Sequence, residues 1–171
     1  MSKYFTILAL AVISLGPIAG LSKSMPVSMA GVGPHGYDFM IGTWSCRNTV
    51  PTHLSGPATS RFAVSRSAYN ALFVRSSGAG YDTALYVVYS SRTKTWRIAQ
   101  AYADGSYEVE STRQTGAKTI WAGTLFDAPS GQTRPIRDIY TFTNPTTQLD
   151  VTQVQIGGTW RTQNNSACTK S

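Results

Sequence analysis

Long apolar runs, cysteines and histidines are scarce in this sequence of 171 residues, and each scarcity excludes a class of protein. The longest apolar stretch, residues 5–15, is too short for a membrane-spanning helix, which needs about 20 residues. Two cysteines without a C-x-x-C pair and two isolated histidines do not make a metal-binding motif. No G-x-S-x-G, H-E-x-x-H or phosphate-binding glycine loop occurs either. We therefore expect no membrane span in the mature chain, and no metal, cofactor or catalytic residue.

The first 24 residues have the composition of an export signal. Lys3 supplies a positive charge, the apolar stretch follows it, and Gly16-Pro17 ends it. We expect a cleaved signal peptide over residues 1–24, a flexible leader over 25–36 and one folded domain over 37–171. The mature protein is then periplasmic or extracellular.

Acidic residues are also few: 8 Asp and Glu stand against 15 Lys and Arg, a formal net charge of +7. Two of the basic residues, Lys3 and Lys23, belong to the expected signal. The remaining basic residues are scattered singly and never form a run. Nucleic-acid binding needs a clustered basic face, so we expect a solvated surface and no nucleic-acid partner.

The two cysteines, Cys46 and Cys168, lie at opposite ends of the expected domain. An even number of cysteines in an exported protein indicates a disulfide rather than a metal site or a reactive thiol. A bridge between them requires the first and last strands to lie within one side chain's reach. A closed antiparallel barrel meets this requirement.

Almost every segment after residue 42 has the composition or the alternation of a β-strand, and none has helical spacing over three turns. Ten strands are predicted, at residues 43–49, 58–65, 71–78, 83–90, 95–103, 106–113, 119–127, 135–143, 148–156 and 159–169. Most connections are short turns such as Asp104-Gly105, and long crossovers are missing. The sequence therefore predicts an all-β fold, a single up-and-down antiparallel β-barrel of about ten strands, which leaves no exposed sheet edge.

The only two glutamates, Glu108 and Glu110, fall on one face of a predicted strand, about 6.5 to 7 Å apart. Such a spacing would suit the carboxyl pair of a hydrolase. Their position beside a hairpin turn, on the polar face of the strand, instead favours a solvated pair. We expect them on the surface.

Residues 38–46, DFMIGTWSC, resemble the N-terminal signature of calycin or lipocalin-like barrels, in which a short helical turn leads into G-x-W on the first strand. Over about residues 37–171 the chain is also similar to a group of secreted bacterial proteins that begin with F-[LM]-x-G-x-W-x-C. The matching residues here are Phe39, Met40, Gly42, Trp44 and Cys46. The resemblance implies a lipocalin-like barrel with a short N-terminal helical turn in an exported protein, and it implies no activity.

The resemblance also implies roles for three structural residues. In lipocalin-like barrels the G-x-W tryptophan closes one end of the barrel, and a basic side chain from a late strand covers its ring. Here Trp44 is the expected plug, Gly42 allows the backbone to approach closely, and Arg161 is the candidate for the covering cation. A second G-T-W ends at Trp160, so that tryptophan is the alternative plug.

Aromatic residues on strands are the best candidates for a binding site. Arg137, a basic residue within an apolar strand, is a further candidate. The aromatic candidates are Tyr86, Trp96, Tyr107, Trp121 and Tyr140. Small barrels either are filled by such side chains or hold one small ligand, and a ligand pocket needs apolar walls with a few polar groups. Arg137 with Asp138 is that polar element or, alternatively, a surface ion pair.

The favoured function is therefore a binding barrel for a small apolar or amphipathic molecule, without catalysis. A protein-binding barrel, such as a periplasmic hydrolase inhibitor, is the first alternative, because residues 76–81, SSGAGY, resemble a loop of periplasmic lysozyme inhibitors. A barrel enzyme is the second alternative. The sequence identifies neither the ligand nor a protein partner.

Overall fold

A computed structural model describes residues 34–50, 52, 54, 56–67, 69–78, 81–113 and 116–171. The predicted signal peptide and all of the predicted leader except its last three residues lie outside this part of the chain. No helix within the described residues is long and apolar enough to cross a membrane.

Within the described residues, a single 3-10 turn, Asp38–Met40, precedes ten strands. The strands are β1 (Gly42–Asn48), β2 (Thr59–Arg66), β3 (Leu72–Gly78), β4 (Tyr81–Ser90), β5 (Thr95–Tyr102), β6 (Tyr107–Thr112), β7 (Lys118–Asp127), β8 (Gln132–Asn144), β9 (Thr147–Ile156) and β10 (Thr159–Lys170). Each strand pairs antiparallel with its neighbours in sequence, and β1 pairs with β10, so the sheet is closed. The predicted all-β, up-and-down antiparallel barrel is confirmed.

Side-chain alternation explains why these segments form a closed sheet. In β5, Trp96, Ile98 and Tyr102 are buried inside the barrel, whereas Arg97 and Ala99 are exposed outside it. A strand with one apolar face can bury that face only against other strands, and closure removes the unpaired edges. The strand bounds agree closely with the sequence prediction, except that β8 begins three residues earlier than expected.

The seam between β1 and β10 is closed by a disulfide. Cys46 and Cys168 are direct partners in the register of the two strands and are joined by a bond that spans 122 residues of chain. The predicted bridge is confirmed. Because the two strands are the first and last of the barrel, the bond links the ends of the sheet.

One end of the barrel is closed by the N-terminal turn. Trp44 is completely buried beneath it, and its indole N–H donates to the Met40 carbonyl at 2.8 Å. The Trp44 ring stacks on Phe62, with ring centroids 5.7 Å apart. Tyr37 and Phe39 extend the same apolar cluster. We call this end of the barrel the closed end.

Lys170, and not Arg161, lies over the Trp44 ring. Its ammonium is 6.0 Å from the ring centre and donates to the Phe39 carbonyl at 2.9 Å. The register explains the difference, because β10 places Lys170 directly opposite Trp44, whereas Arg161 is exposed near the β9–β10 turn. The expectation for Arg161 was therefore wrong, although a basic residue of the last strand does occupy the place.

A second, smaller apolar cluster fills the opposite end of the barrel. It consists of Leu54, Tyr102, Leu125, Ile136 and Val154. Leu54 comes from the connection between β1 and β2, which is tied to β10 by the Thr52 hydroxyl donating to the Gln163 carbonyl at 2.9 Å. The interior therefore has apolar clusters at both ends, and a layer of polar side chains lies between them.

Candidate functional site

The barrel interior contains a cavity of about 120 Å³. An engineered protein cavity of about 150 Å³ holds one benzene molecule. The space is therefore suited to one small organic molecule, and the barrel is not completely filled by its own side chains.

The cavity wall has an apolar and a polar part. The apolar part is made chiefly by Phe62, Val74, Val87, Ile98, Trp121 and Phe142. The polar part is made chiefly by Asn48, Gln100, Glu108, Asp138, Tyr140, Gln148, Asp150, Thr152, Asn164 and Ser166. Ligand pockets commonly combine apolar walls with a few polar groups that fix the orientation of the ligand.

Half of the chain's eight acidic residues point into the barrel. Glu108, Glu110 and Asp138 are 2%, 1% and 5% exposed, and Asp150 is partly buried on the cavity wall. The expectation that both glutamates lie on the surface was therefore wrong.

The β5–β6 register gives the reason for this correction. Glu108 is paired with Gln100, and Glu110 is paired with Ile98. Directly opposed residues of an antiparallel pair share one face of the sheet. Because Ile98 is inside, Glu110 is inside as well, and Tyr107 is turned to solvent.

Three of the carboxyl groups form a compact cluster. Glu108, Glu110 and Asp138 each place a carboxyl oxygen within 4.8 Å of the other two. The Tyr102 hydroxyl donates to Oε2 of Glu108 at 2.9 Å. β6 and β8 supply the cluster, although β7 lies between them in the sheet.

Asp150 interacts electrostatically with Asp138 and Glu108 and is hydrogen-bonded to polar side chains on β10. The Asn164 amide donates to Oδ2 of Asp150 at 2.9 Å, and the Ser166 hydroxyl donates to Oδ1 of Asn164 at 2.7 Å. These contacts fix one oxygen of Asp150 and leave the other available.

Two buried acceptor atoms on the cavity wall have no hydrogen-bond donor within the described part of the chain. They are Oδ1 of Asp150 and Oε1 of Gln148, whereas Glu110 and Asp138 are hydrogen-bonded to each other. Buried polar atoms in native proteins are nearly always hydrogen-bonded, to the protein, to water or to a ligand. Two unpaired acceptors on one cavity wall therefore indicate that a donor from outside the chain, water or a ligand, enters the cavity.

No Lys, Arg or His belongs to the described residues that line the cavity. Burial of an isolated carboxylate costs several kcal/mol even after the protein relaxes, and neighbouring carboxylates repel one another. The cluster must therefore hold protons or receive a positive charge from a ligand.

The pKa values of the carboxyl groups follow from this environment. Burial, followed by the charge of Asp138, raises the pKa of Glu110 to about 11. Burial raises the pKa of Asp138 to about 6, partly offset by hydrogen bonds such as that from Thr152. Burial also raises the pKa of Glu108 and of Asp150 well above the ordinary value, with the charge of Asp138 as the next cause. Glu110 is therefore protonated at neutral pH, next to Asp138, whose pKa is lower.

Three of the aromatic candidates point into the barrel. Trp121 and Tyr140 line the cavity. Trp96 lies deeper in the closed end. Its ring packs edge to face on Tyr37, with ring centroids 4.9 Å apart, and against Tyr89, with ring centroids 5.1 Å apart. The structure thus brings Trp121 and Tyr140 together at the cavity and places Trp96 in the core.

The other three candidates lie on the outer surface. Tyr86 and Tyr107 are 50% and 53% exposed. Arg137 stacks over Trp160 at 4.3 Å and donates to the Gln153 side chain at 2.8 Å. These three do not reach the cavity, because they occupy the outward positions of β4, β6 and β8.

The polar residues of the cavity were the ones that sequence reasoning missed. Glu108, Gln148 and Asp150 were not expected to face a ligand, and Asp138 was considered only together with Arg137. Of the predicted loop over 76–81, Ser76 lines the cavity, and residues 79 and 80 lie outside the described part of the chain.

Comparison with known proteins leaves the function to be inferred from the site itself. No known protein family matches this chain, and no curated protein matches it. The cavity, its apolar wall and its unpaired acceptors are therefore the features from which a function can be inferred.

Proposed function

We propose that this protein is an exported, lipocalin-like barrel that binds one small amphipathic molecule in its interior and does not transform it. The observation that carries the proposal is the cavity of about 120 Å³, whose lining combines apolar side chains with acceptor groups. A ligand with an apolar body and a polar group matches both parts of the wall.

The expected ligand is small. A single-ring compound occupies the space that a benzene-sized cavity provides. Its apolar part contacts Trp121, Phe142 and Val87, and its polar group meets the carboxyl layer. Ligands of this size gain little binding energy in total. We therefore expect a dissociation constant between about 1 mM and 1 μM, which corresponds to a binding free energy of about −4 to −8 kcal/mol.

Export is the second part of the proposal. The Cys46–Cys168 bond supports it, because disulfides persist in oxidising compartments such as the periplasm and the extracellular space. Amino-terminal sequencing of the mature protein and cell fractionation test this part independently of the ligand.

Titration calorimetry and tryptophan fluorescence with benzyl alcohol test the binding function. One equivalent should bind with saturation and change the emission of Trp121, which lines the cavity. The cavity-filling variant Val87→Phe should abolish the binding, because Val87 lines the cavity. Val88→Phe is the matched control, since Val88 is the next residue on β4 and is exposed on the outer surface.

Equal loss of binding in both valine variants would mean that the probe binds outside the barrel. Absence of saturable binding in the wild-type protein would contradict the small-molecule function, provided that circular dichroism shows the fold to be intact. The protein-binding barrel would then be the leading alternative.

A further inference from the structure

We propose that the ligand's polar group is a protonated amine, which the carboxyl groups of Glu108, Asp138 and Asp150 and the amide oxygen of Gln148 bind inside the barrel. The inference rests on the proposed binding function and specifies its ligand class, a small primary amine with an apolar body. All four side chains line the cavity.

The charges around the cavity favour a cation. Three acidic residues line it, and no basic residue is among the described residues of the wall. A fourth acidic residue, Glu110, has a carboxyl oxygen within 4.8 Å of those of Glu108 and Asp138. A buried carboxylate is stable only when it is paired or hydrogen-bonded. A cationic ligand supplies the missing opposite charge, whereas an anionic one would add to the repulsion.

The unpaired atoms favour a ligand with several hydrogen-bond donors. Oδ1 of Asp150 and Oε1 of Gln148 are buried acceptors without a hydrogen-bond partner among the described residues. The carboxyl groups can take up protons, but the amide oxygen of Gln148 remains an acceptor at any ordinary pH, so it requires a donor. An ammonium group has three N–H donors and no acceptor, whereas a neutral alcohol has one donor.

The unpaired amide oxygen of Gln148 supports an amine ligand independently of the carboxyl cluster. Gln148 is 3% exposed, carries no charge and lies on β9 two residues before Asp150. Residues two apart on a strand point to the same face, about 6.5 to 7 Å from each other. The acceptors therefore extend beyond the carboxyl cluster and along the cavity wall.

The apolar wall favours an organic amine over a bare metal ion. Trp121 and Tyr140 present aromatic rings to the same cavity, and cations are attracted to aromatic faces. A metal ion held by Glu108, Glu110 and Asp138 would use the wall of the cavity and leave the space beside Phe142 and Val87 empty. An amine with an apolar body uses both.

Three probes of one shape and different charge test the inference. Benzylamine is a cation at pH 7, benzyl alcohol is neutral, and benzoate is an anion. At pH 7 and low salt, benzylamine should bind at least about tenfold more tightly than benzyl alcohol, and benzoate should not bind. Calorimetry in two buffers with different ionisation enthalpies should show release of protons on benzylamine binding, because the carboxyl groups ionise when they receive the cation.

Neutral variants identify the groups that receive the amine. Asp138→Asn and Asp150→Asn should each weaken benzylamine at least about tenfold and change the affinity for benzyl alcohol less than about threefold. Asp82→Asn is the matched control, because Asp82 lies on the outer surface in an ion pair with Arg75 at 3.2 Å. Gln148→Leu provides a second variant that removes an acceptor without altering the number of acidic groups.

The outcomes separate this inference from the proposed function. If benzyl alcohol binds as tightly as benzylamine, the amine inference is overturned and the binding function stands. If neither binds, both are overturned. Binding of Ca²⁺ or Mn²⁺ that is lost in Asp138→Asn and excludes benzylamine would identify a metal site, which also overturns the inference.

Discussion

Gly123 lies directly opposite Glu110 in the register of β6 and β7, and the two strands are so close there that a β-carbon on Gly123 would stand 1.8 Å from the Val109 carbonyl oxygen. The same β-carbon would come 2.7 Å from Cα of Glu110. The absence of a side chain at Gly123 thus allows β7 to approach the strand that carries both buried glutamates.

Gly123→Ala should destabilise the barrel by at least about 2 kcal/mol, since the clash is with backbone atoms that cannot rotate away. Urea unfolding followed by tryptophan fluorescence measures the loss. Gly131→Ala is the control: a β-carbon there meets no atom of the described residues within 4 Å, but φ is +64°, so only the backbone penalty of about 1 kcal/mol applies. A smaller loss for Gly123→Ala than for Gly131→Ala would contradict the close packing of β6 and β7.

The buried carboxyl groups should make the ligand-free protein less stable as the pH rises. Asp138 has a folded-state pKa of about 6 against an ordinary 3.8, and Glu110 has about 11 against 4.5. The folded state holds protons that the unfolded chain releases, so the free energy of unfolding is highest below about pH 4. It then decreases as the pH rises, through pH 6 for Asp138 and up to about pH 11 for Glu110. Each retained proton contributes up to about 1.4 kcal/mol per pH unit.

Unfolding free energies from pH 4 to pH 9 test this dependence. Glu110→Gln should flatten the profile and raise stability at pH 8, because the amide cannot ionise. Asp104→Asn, in an exposed turn, should keep the wild-type slope. Two further carboxyls, of Glu108 and Asp150, and the hydroxyls of Tyr102 and Tyr140 also belong to this layer. A wild-type stability that increases with pH over this range would contradict the assigned protonation.

Lys170→Met should destabilise the protein by about 1 to 2 kcal/mol. The variant loses the charged hydrogen bond to the Phe39 carbonyl and the position over the Trp44 ring. Arg161→Met should remain within about 0.5 kcal/mol of the wild type, because Arg161 is exposed. Thermal or urea unfolding of the two variants compares them, and the reverse order would restore Arg161 as the covering residue.

Loss of the disulfide should be costly. In the chain-entropy model, the bond between Cys46 and Cys168 closes a loop of 122 residues and stabilises the fold by about 4 to 5 kcal/mol. The double variant Cys46→Ala/Cys168→Ala should show this loss in urea unfolding. Titration of the unreduced wild-type protein should find no free thiol, and a reactive pair of thiols would contradict the bond.

The fold could be predicted from the sequence because its signals are local. Turn residues such as Asp104-Gly105 and the alternation of Trp96 and Ile98 are visible within ten residues. Closure of the barrel followed from a long-range signal, the two cysteines, since a bond between Cys46 and Cys168 forces the first and last strands together.

The site could be predicted only in part, because the interior is polar. The rule that charged residues face solvent assigned Glu108 and Glu110 to the outside, and it failed in a barrel whose middle layer holds carboxyl groups. A signal was present in the hairpin: with Trp96 and Ile98 inside, the pairing across a four-residue turn places Glu110 on the same face. Lys170 opposite Trp44 required the exact register of β1 and β10, which alternation alone does not provide.

The distribution of acidic groups makes the surface of the protein more positive than its composition alone indicates. The formal charge of +7 includes Lys3 and Lys23 of the expected signal peptide and counts every carboxyl group as ionised and accessible, yet four of the eight acidic residues point into the barrel. Each proton that the interior retains at neutral pH adds one positive charge to the total, and the solvent meets basic side chains with few acidic ones between them. We therefore expect the protein to bind to a cation exchanger at neutral pH, because four of its acidic groups face the cavity and not the solvent.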